Sequence, residues 1–222
     1  MSGATNVLSD DYYTLTIDDG GAAKTLQGDA NIAGNLNIKS GNQLNLGINK
    51  MTTTGTSDID GTLNISTGTY DANGAFDATG GSVTFTDAGR LELAGTVTSL
   101  GTFTPSTGKV IYNGGAQNVL AETYNDLTIR FVGVKTAIGN VNVNNNFVIR
   151  TNATYDIAST TTTVTGTAYV NTTATLSLST GTFDANGEFD ATGGSVTFTG
   201  AGTLELGGTV TSLGTFTGGG NQ

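Results

Sequence analysis

Apolar and polar residues alternate along most of this chain. Ser82 to Thr86 reads Ser-Val-Thr-Phe-Thr, and Thr203 to Leu206 reads Thr-Leu-Glu-Leu. Period-two alternation sends every second side chain to one face, the pattern of strands with one buried side. Helical periodicity is scarce, because glycine, threonine and asparagine interrupt every window of helical length. An all-β fold is expected. Disorder, the other reading of a chain rich in glycine and threonine, requires too little apolar surface to offset chain entropy. Here 36% of the residues are hydrophobic, nine Phe and seven Tyr among them, so a folded chain is expected.

Strand cores of the Leu-x-Ile kind begin at Leu15, Leu36, Leu63, Val83, Val110, Leu127, Phe147, Leu176 and Val196. The intervals are uneven, shortest from Val110 to Leu127 and longest from Phe147 to Leu176. A period in the twenties is what one coil of a parallel β-helix needs: three short strands and their corners. The expected fold is a right-handed parallel β-helix, or β-solenoid, of about ten coils, with apolar ladders inside and Thr and Asn outside. Handedness here follows only from the general crossover preference. The uneven intervals predict loops of variable length along one edge. The competing fold is a pair of tandem immunoglobulin-like β-sandwiches, given a repeat near the size of such a domain. Against it stand a single proline, Pro105, and the recurrence of strand cores at coil length.

The chain is an internal duplication. Ser66 to Thr104 and Ser179 to Thr217 are identical at all but five positions, and Gly3 to Ile17 matches Gly115 to Ile129 at more than half. Lys24-Thr25 recurs as Lys135-Thr136. Two repeat units, 1–112 and 113–222, are expected to form one continuous solenoid. In the diverged half of the repeat, what persists is the apolar set (Leu15 and Ile17 against Leu127 and Ile129) and turn glycine (Gly28 against Gly139), which are packing requirements. That pattern favours architecture over chemistry.

Composition narrows the function classes. The chain lacks cysteine and histidine, so it carries no disulfide, thiolate metal site, imidazole base or Ser-His-Asp triad. A net charge of −10 argues against nucleic acid as a partner, and no apolar run approaches the length of a membrane helix. The most distinctive polar motif is Asp-Ala-Asn-Gly-x-Phe-Asp. It places Asp71, Asn73 and Asp77 together in the first copy and Asp184, Asn186 and Asp190 in the second. Such spacing could supply oxygen ligands to calcium, the one cofactor to consider, but the set lacks a closing bidentate carboxylate. The preferred reading is a tight turn, with Asn73-Gly74 at positive φ and Asp71 bonded to its own backbone.

Polysaccharide cleavage requires clustered carboxylates as acid and base, and Asp58, Asp60, Asp71, Asp77, Glu92 and Glu205 are the candidates. Arg90 and Asp87, beside Glu92, become Thr203 and Gly200 in the second copy, so no matched catalytic set recurs and no enzyme activity is expected. Threonine pairs flanking one inward residue, as in Thr84-Phe85-Thr86, Thr96-Val97-Thr98, Thr102-Phe103-Thr104 and Thr209-Val210-Thr211, raise ice binding as an alternative. The uneven intervals predict that these pairs stand at differing heights, and threonine is common on solvated strands anyway. For sugar binding without cleavage, Tyr12, Tyr13, Tyr112, Tyr124 and Tyr155 are available, about half of them on the apolar phase of a strand.

The string Val110-Ile111-Tyr112-Asn113-Gly114-Gly115-x-Gln117-x-Val119, followed by Tyr124-x-x-Leu127-Thr128-Ile129 and Lys135-Thr136, resembles repeats of very large bacterial surface proteins. These are the adhesin-like β-strand-repeat proteins of Bacteroidetes-type bacteria and, more loosely, filamentous-haemagglutinin-like exoproteins. The resemblance implies an extracellular, cell-surface location and a structural or adhesive role, and it carries over no catalytic residue. Surface glycans or abiotic surfaces are the implied partners. The chain opens inside a repeat without a signal-peptide pattern, so Met1 is expected to begin a processed or expressed fragment. Neither Ser2 to Leu8 nor Gly218 to Gln222 reads as a cap, which predicts end-to-end self-association.

Overall fold

The computed structural model describes residues 6–218, and among them every regular element is a β-strand. The strands fall into two compact units, Met1–Val110 and Ile111–Gln222, with the strand Lys109–Tyr112 across the boundary. Each unit is a parallel β-solenoid. The sandwich alternative fails, because sandwiches are built from antiparallel sheets and the pairings within both units are parallel.

In the first unit, three strands make a coil and the chain winds five of them. The first face stacks Asp11–Tyr12, Ala30–Ile32, Lys50–Thr53, Thr69–Ala72 and Arg90–Leu93. The second stacks Leu15–Ile17, Leu36–Ile38, Ser57–Ile59, Phe76–Asp77 and Val97–Ser99. The third stacks Ala23–Thr25, Gln43–Asn45, Thr62–Ile65, Ser82–Phe85 and Thr102–Thr104. The second unit repeats the scheme over five coils from Gln117–Val119 to Val210–Ser212, and the strand Thr215–Thr217 follows.

Register corrects the expectation of variable loops. Gln117 pairs with Lys135 across the tightest coil and Leu36 with Ser57 across one of the widest, and these two steps differ only slightly. Small register shifts after Phe76 and Phe189 are the exceptions, and they recur at the same place in both copies. The longer sequence intervals arose from comparing different faces. Leu36 lies on the second face and Leu63 on the third, so their separation is one coil plus one face. The coils are nearly uniform.

Alternation sorts the side chains as the pattern predicts. In Ser82–Phe85, Val83 and Phe85 are buried while Ser82 and Thr84 face outward. Inward side chains align into ladders: Leu44, Leu63, Val83 and Phe103 occupy one column across four coils. Burying each such Leu or Val stabilises the fold by about 1.5–3 kcal/mol. Tyr70 packs edge-on to Phe76, and Phe183 to Phe189 at the matching place in the second copy.

Glycine forms the corner after the first face in four successive coils of the first unit, at Gly34, Gly55, Gly74 and Gly95, and the reason is close approach. A Cβ on Gly74 would stand 2.1 Å from the carbonyl oxygen of Gly55, one coil earlier. In the second unit, a Cβ on Gly187 would meet Gly166 at the same distance. Such contact is far inside van der Waals range, so no larger residue fits there.

Candidate functional site

The Asp-Ala-Asn-Gly-x-Phe-Asp motif wraps this glycine corner. Asp71 lies on the strand Thr69–Ala72, Asn73 and Gly74 turn the corner, and Asp77 ends the short strand Phe76–Asp77. The expected turn conformation is not the one adopted: neither Asn73 nor Gly74 has positive φ. Gly74 is required by the packed carbonyl behind it, not by a left-handed backbone.

The carboxylates are engaged in holding the scaffold. Asp71 pairs with Lys50 of the preceding coil at 3.0 Å instead of bonding its own backbone. Asp77 Oδ1 accepts the Thr79 backbone N–H at 2.9 Å and the Thr79 hydroxyl at 2.6 Å. Asp190 repeats both bonds to Thr192 at the same distances. In the second copy Asp184 accepts a bond from the Asn186 amide at 3.2 Å. Among the described residues, no group of three or more acidic, histidine or cysteine side chains is placed to hold a metal ion.

The carboxylates considered for acid–base chemistry are spread over three sheets. Asp58 and Asp60 share Lys39, at 3.3 and 3.4 Å. Glu92 pairs with Arg90 at 2.7 Å and stands beside Asp71 in register on the next coil. The same register sets Glu205 beside Asp184 in the second unit. These side-by-side carboxylates went unnoticed in the sequence because the partners are a whole coil apart along the chain, and coil length alone could have revealed them. Like charges directly opposite are unfavourable; Lys50 and Arg90 offset the repulsion in the first copy.

The tyrosines divide sharply. Tyr13 is 82% exposed, whereas Tyr112, Tyr124 and Tyr155 are wholly buried. The Tyr112 and Tyr124 hydroxyls meet at 3.1 Å, and Tyr124 also donates to the Leu120 carbonyl. Tyr155 bonds Thr162 at 2.8 Å, and Tyr70 lies between Thr53 and Ser57 at 2.9 and 2.7 Å. Burial pushes Tyr70 and Tyr112 up to about 12. These rings are core members and are not open to a sugar.

A buried lysine is the feature that sequence reasoning passed over. Lys24 and Lys135 occupy matching places in the two copies, and both are buried. Lys24 forms an ion pair with Asp19. Lys135 instead donates to the Phe131 carbonyl at 2.7 Å, and burial lowers its pKa to about 8. Phe131 adopts φ of 65°, unusual for a bulky residue, and its ring lies 4.2 Å from the Arg130 guanidinium. The adjoining strip leaves Phe131, Val132, Val134 and Ile138 exposed to solvent.

The threonine pairs of the first unit are not stacked on one another: Thr84 stands in register with Thr104, which offsets Thr84/Thr86 from Thr102/Thr104 along the strand, and Thr96/Thr98 flanks Val97 on the second face. On its third face, Thr62, Ser82 and Thr102 align in one outward column, continued below by Gln43 and Ala23. Asn64, Thr84 and Thr104 align in the next, continued by Asn45 and Thr25. A polar depression of about 310 Å³, lined by Asn42, Asp60, Gly61 and Gly81 among others, borders the first column. Comparison of the chain with protein-family models, with curated proteins and with solved structures finds no match in any of the three.

Proposed function

We propose that the chain is a non-catalytic structural or adhesive repeat segment of an extracellular bacterial surface protein. The observation that carries this reading is the use made of the repeated polar motif. Asp77 with Thr79, and Asp190 with Thr192, serve identically as clasps of a corner in both copies. What the duplication preserves here is the turn that closes a corner of the coil. A rigid stack presents many weak contacts at fixed spacing, which is how repeated modules reach useful avidity.

An exposed apolar strip from Phe131 to Ile138, on the strained segment beside Lys135, supports the adhesive side. On the last described coil Val210, Leu213 and Phe216 are 43, 37 and 50% exposed. Their counterparts Val97 and Leu100 in the first copy are 5 and 0% exposed, so this sequence packs its apolar side chains away when a covering is available. End-to-end association would cover them, and it is part of the proposal. Of the segments Ser2 to Leu8 and Gly218 to Gln222, which were expected not to act as caps, residues 1–5 and 219–222 lie outside the described residues.

The test is retention of the purified chain on abiotic surfaces of graded polarity and on glycan arrays, against a tandem fusion of two chains. Adhesion predicts retention that rises more than twofold for the fusion, as effective concentration requires. Release of reducing ends from a polysaccharide would overturn the reading, and absence of retention on every surface would remove its adhesive half.

A further inference from the structure

We infer that the third face of the first unit is an ice-binding surface, a two-column grid of hydroxyl and amide groups, interrupted only by Ala23 on the first coil, whose ligand is the lattice of solid water. The reading is independent of the adhesive role proposed above. It starts from charge. The first face turns Lys50, Asp71, Arg90 and Glu92 outward and the second turns Asp58 and Asp77 outward, yet all ten outward strand positions of the third face are neutral. Threonine's preference for strands explains hydroxyls on any face. It does not explain why five successive coils of a chain with a net charge of −10 keep one face free of ions.

Geometry supplies the second argument. Adjacent strands in a sheet lie about 4.8 Å apart, and outward residues two positions apart along a strand are separated by roughly 6.7 Å. In-register pairing of Thr62, Ser82 and Thr102 beside Asn64, Thr84 and Thr104 therefore makes a near-rectangular grid. Those two repeats are close to the oxygen spacings on a prism face of hexagonal ice. An ion on such a face would hold its own hydration shell and break the match, so neutrality and periodicity serve the same end.

The grid is also held in place before binding. Gln43 donates to Asn45 Oδ1, and Asn64 donates to that same oxygen at 3.1 Å. Thr86 in turn donates to Asn64 Oδ1 at 3.4 Å. Fixed side chains on a hydrogen-bonded sheet lose little freedom on binding, which favours many weak contacts summed over a surface. The ten positions include no aromatic ring, so the face offers no platform for stacking a sugar.

The experiment measures thermal hysteresis, and partition into slowly growing ice, for the full chain and two variants. Thr84→Lys places a cation in the centre of the grid. Thr52→Lys places one on the first face, beside Asp71 in register, and serves as the control. Both positions face outward, and circular dichroism verifies that each variant folds. The expected result is a freezing point held below the melting point and enrichment in ice for the parent chain and for Thr52→Lys. Thr84→Lys should lower enrichment roughly tenfold, about 1.4 kcal/mol of binding. Exclusion of the parent chain from ice would overturn the inference. So would equal behaviour of the two variants, or binding to crystalline cellulose or chitin in place of ice.

Discussion

Replacing Gly74 by alanine is expected to destabilise the first unit by about 3 kcal/mol, at the upper end of overpacking costs. The new methyl would stand 2.1 Å from the Gly55 oxygen and 2.6 Å from its carbon. Relief by moving the corner is blocked, because a Cβ on Gly95 would already meet the Gly74 carbonyl at 2.2 Å from the other side. Two controls separate close approach from backbone conformation. Gly41 has open space around its Cβ direction but φ of 79°, so alanine there should cost about 1 kcal/mol. Gly115 has neither neighbour nor positive φ, and alanine should change stability by less than about 0.5 kcal/mol. Urea midpoints of the three variants should fall in that order, and a Gly74 variant as stable as the Gly115 variant would refute the corner geometry.

Stability should pass through a maximum near pH 10. Lys135 titrates at about 8 in the folded chain, below the ordinary 10.5. Between those values the unfolded chain binds the extra proton, so stability rises with pH, by about 2 kcal/mol after discounting for partial screening. Tyr70 and Tyr112 act in the opposite sense. Their folded pKa of about 12 exceeds the ordinary 10, so above pH 10 the unfolded chain loses protons first and stability falls. Lys135→Met removes the rising limb and leaves the falling one, and it should be more stable than the parent at pH 7. Equilibrium unfolding from pH 7 to 12 measures both limbs. A parent curve that is flat between pH 8 and 10 would show that the ammonium is solvated.

Local pattern carried most of the fold. Ser82–Phe85 could be assigned as a strand, with its buried side, from a handful of letters, because alternation is a property of neighbours. Coil length was harder to read. Leu36 and Leu63 look like successive rungs, yet they sit on different faces, and nothing within either strand announces which face it joins. Gly74 shows the same limit. Its glycine was legible, but the cause was not, since the obstructing carbonyl belongs to Gly55, a full coil earlier. The candidate sites were less legible still. The Lys50–Asp71 pair and the Asp71–Glu92 contact follow only from register, and the neutral third face emerges only when five coils are laid side by side. Lys135 was hidden for another reason: a lysine is rarely buried, so it reads as exposed until the core around it is seen.

The repeating grid rests on coils stacked in register, and its spacing can be measured directly. Spin labels placed on the outward positions Thr84, Asn64, Asn45 and Thr25, each paired with a label at Thr104, sample one to four coils of the third face. Pulsed electron paramagnetic resonance, with continuous-wave spectra for the shortest pairs, should give separations that grow in equal steps of about 4.8 Å per coil. Unequal or alternating steps, as antiparallel sheets would produce, would contradict a solenoid in register.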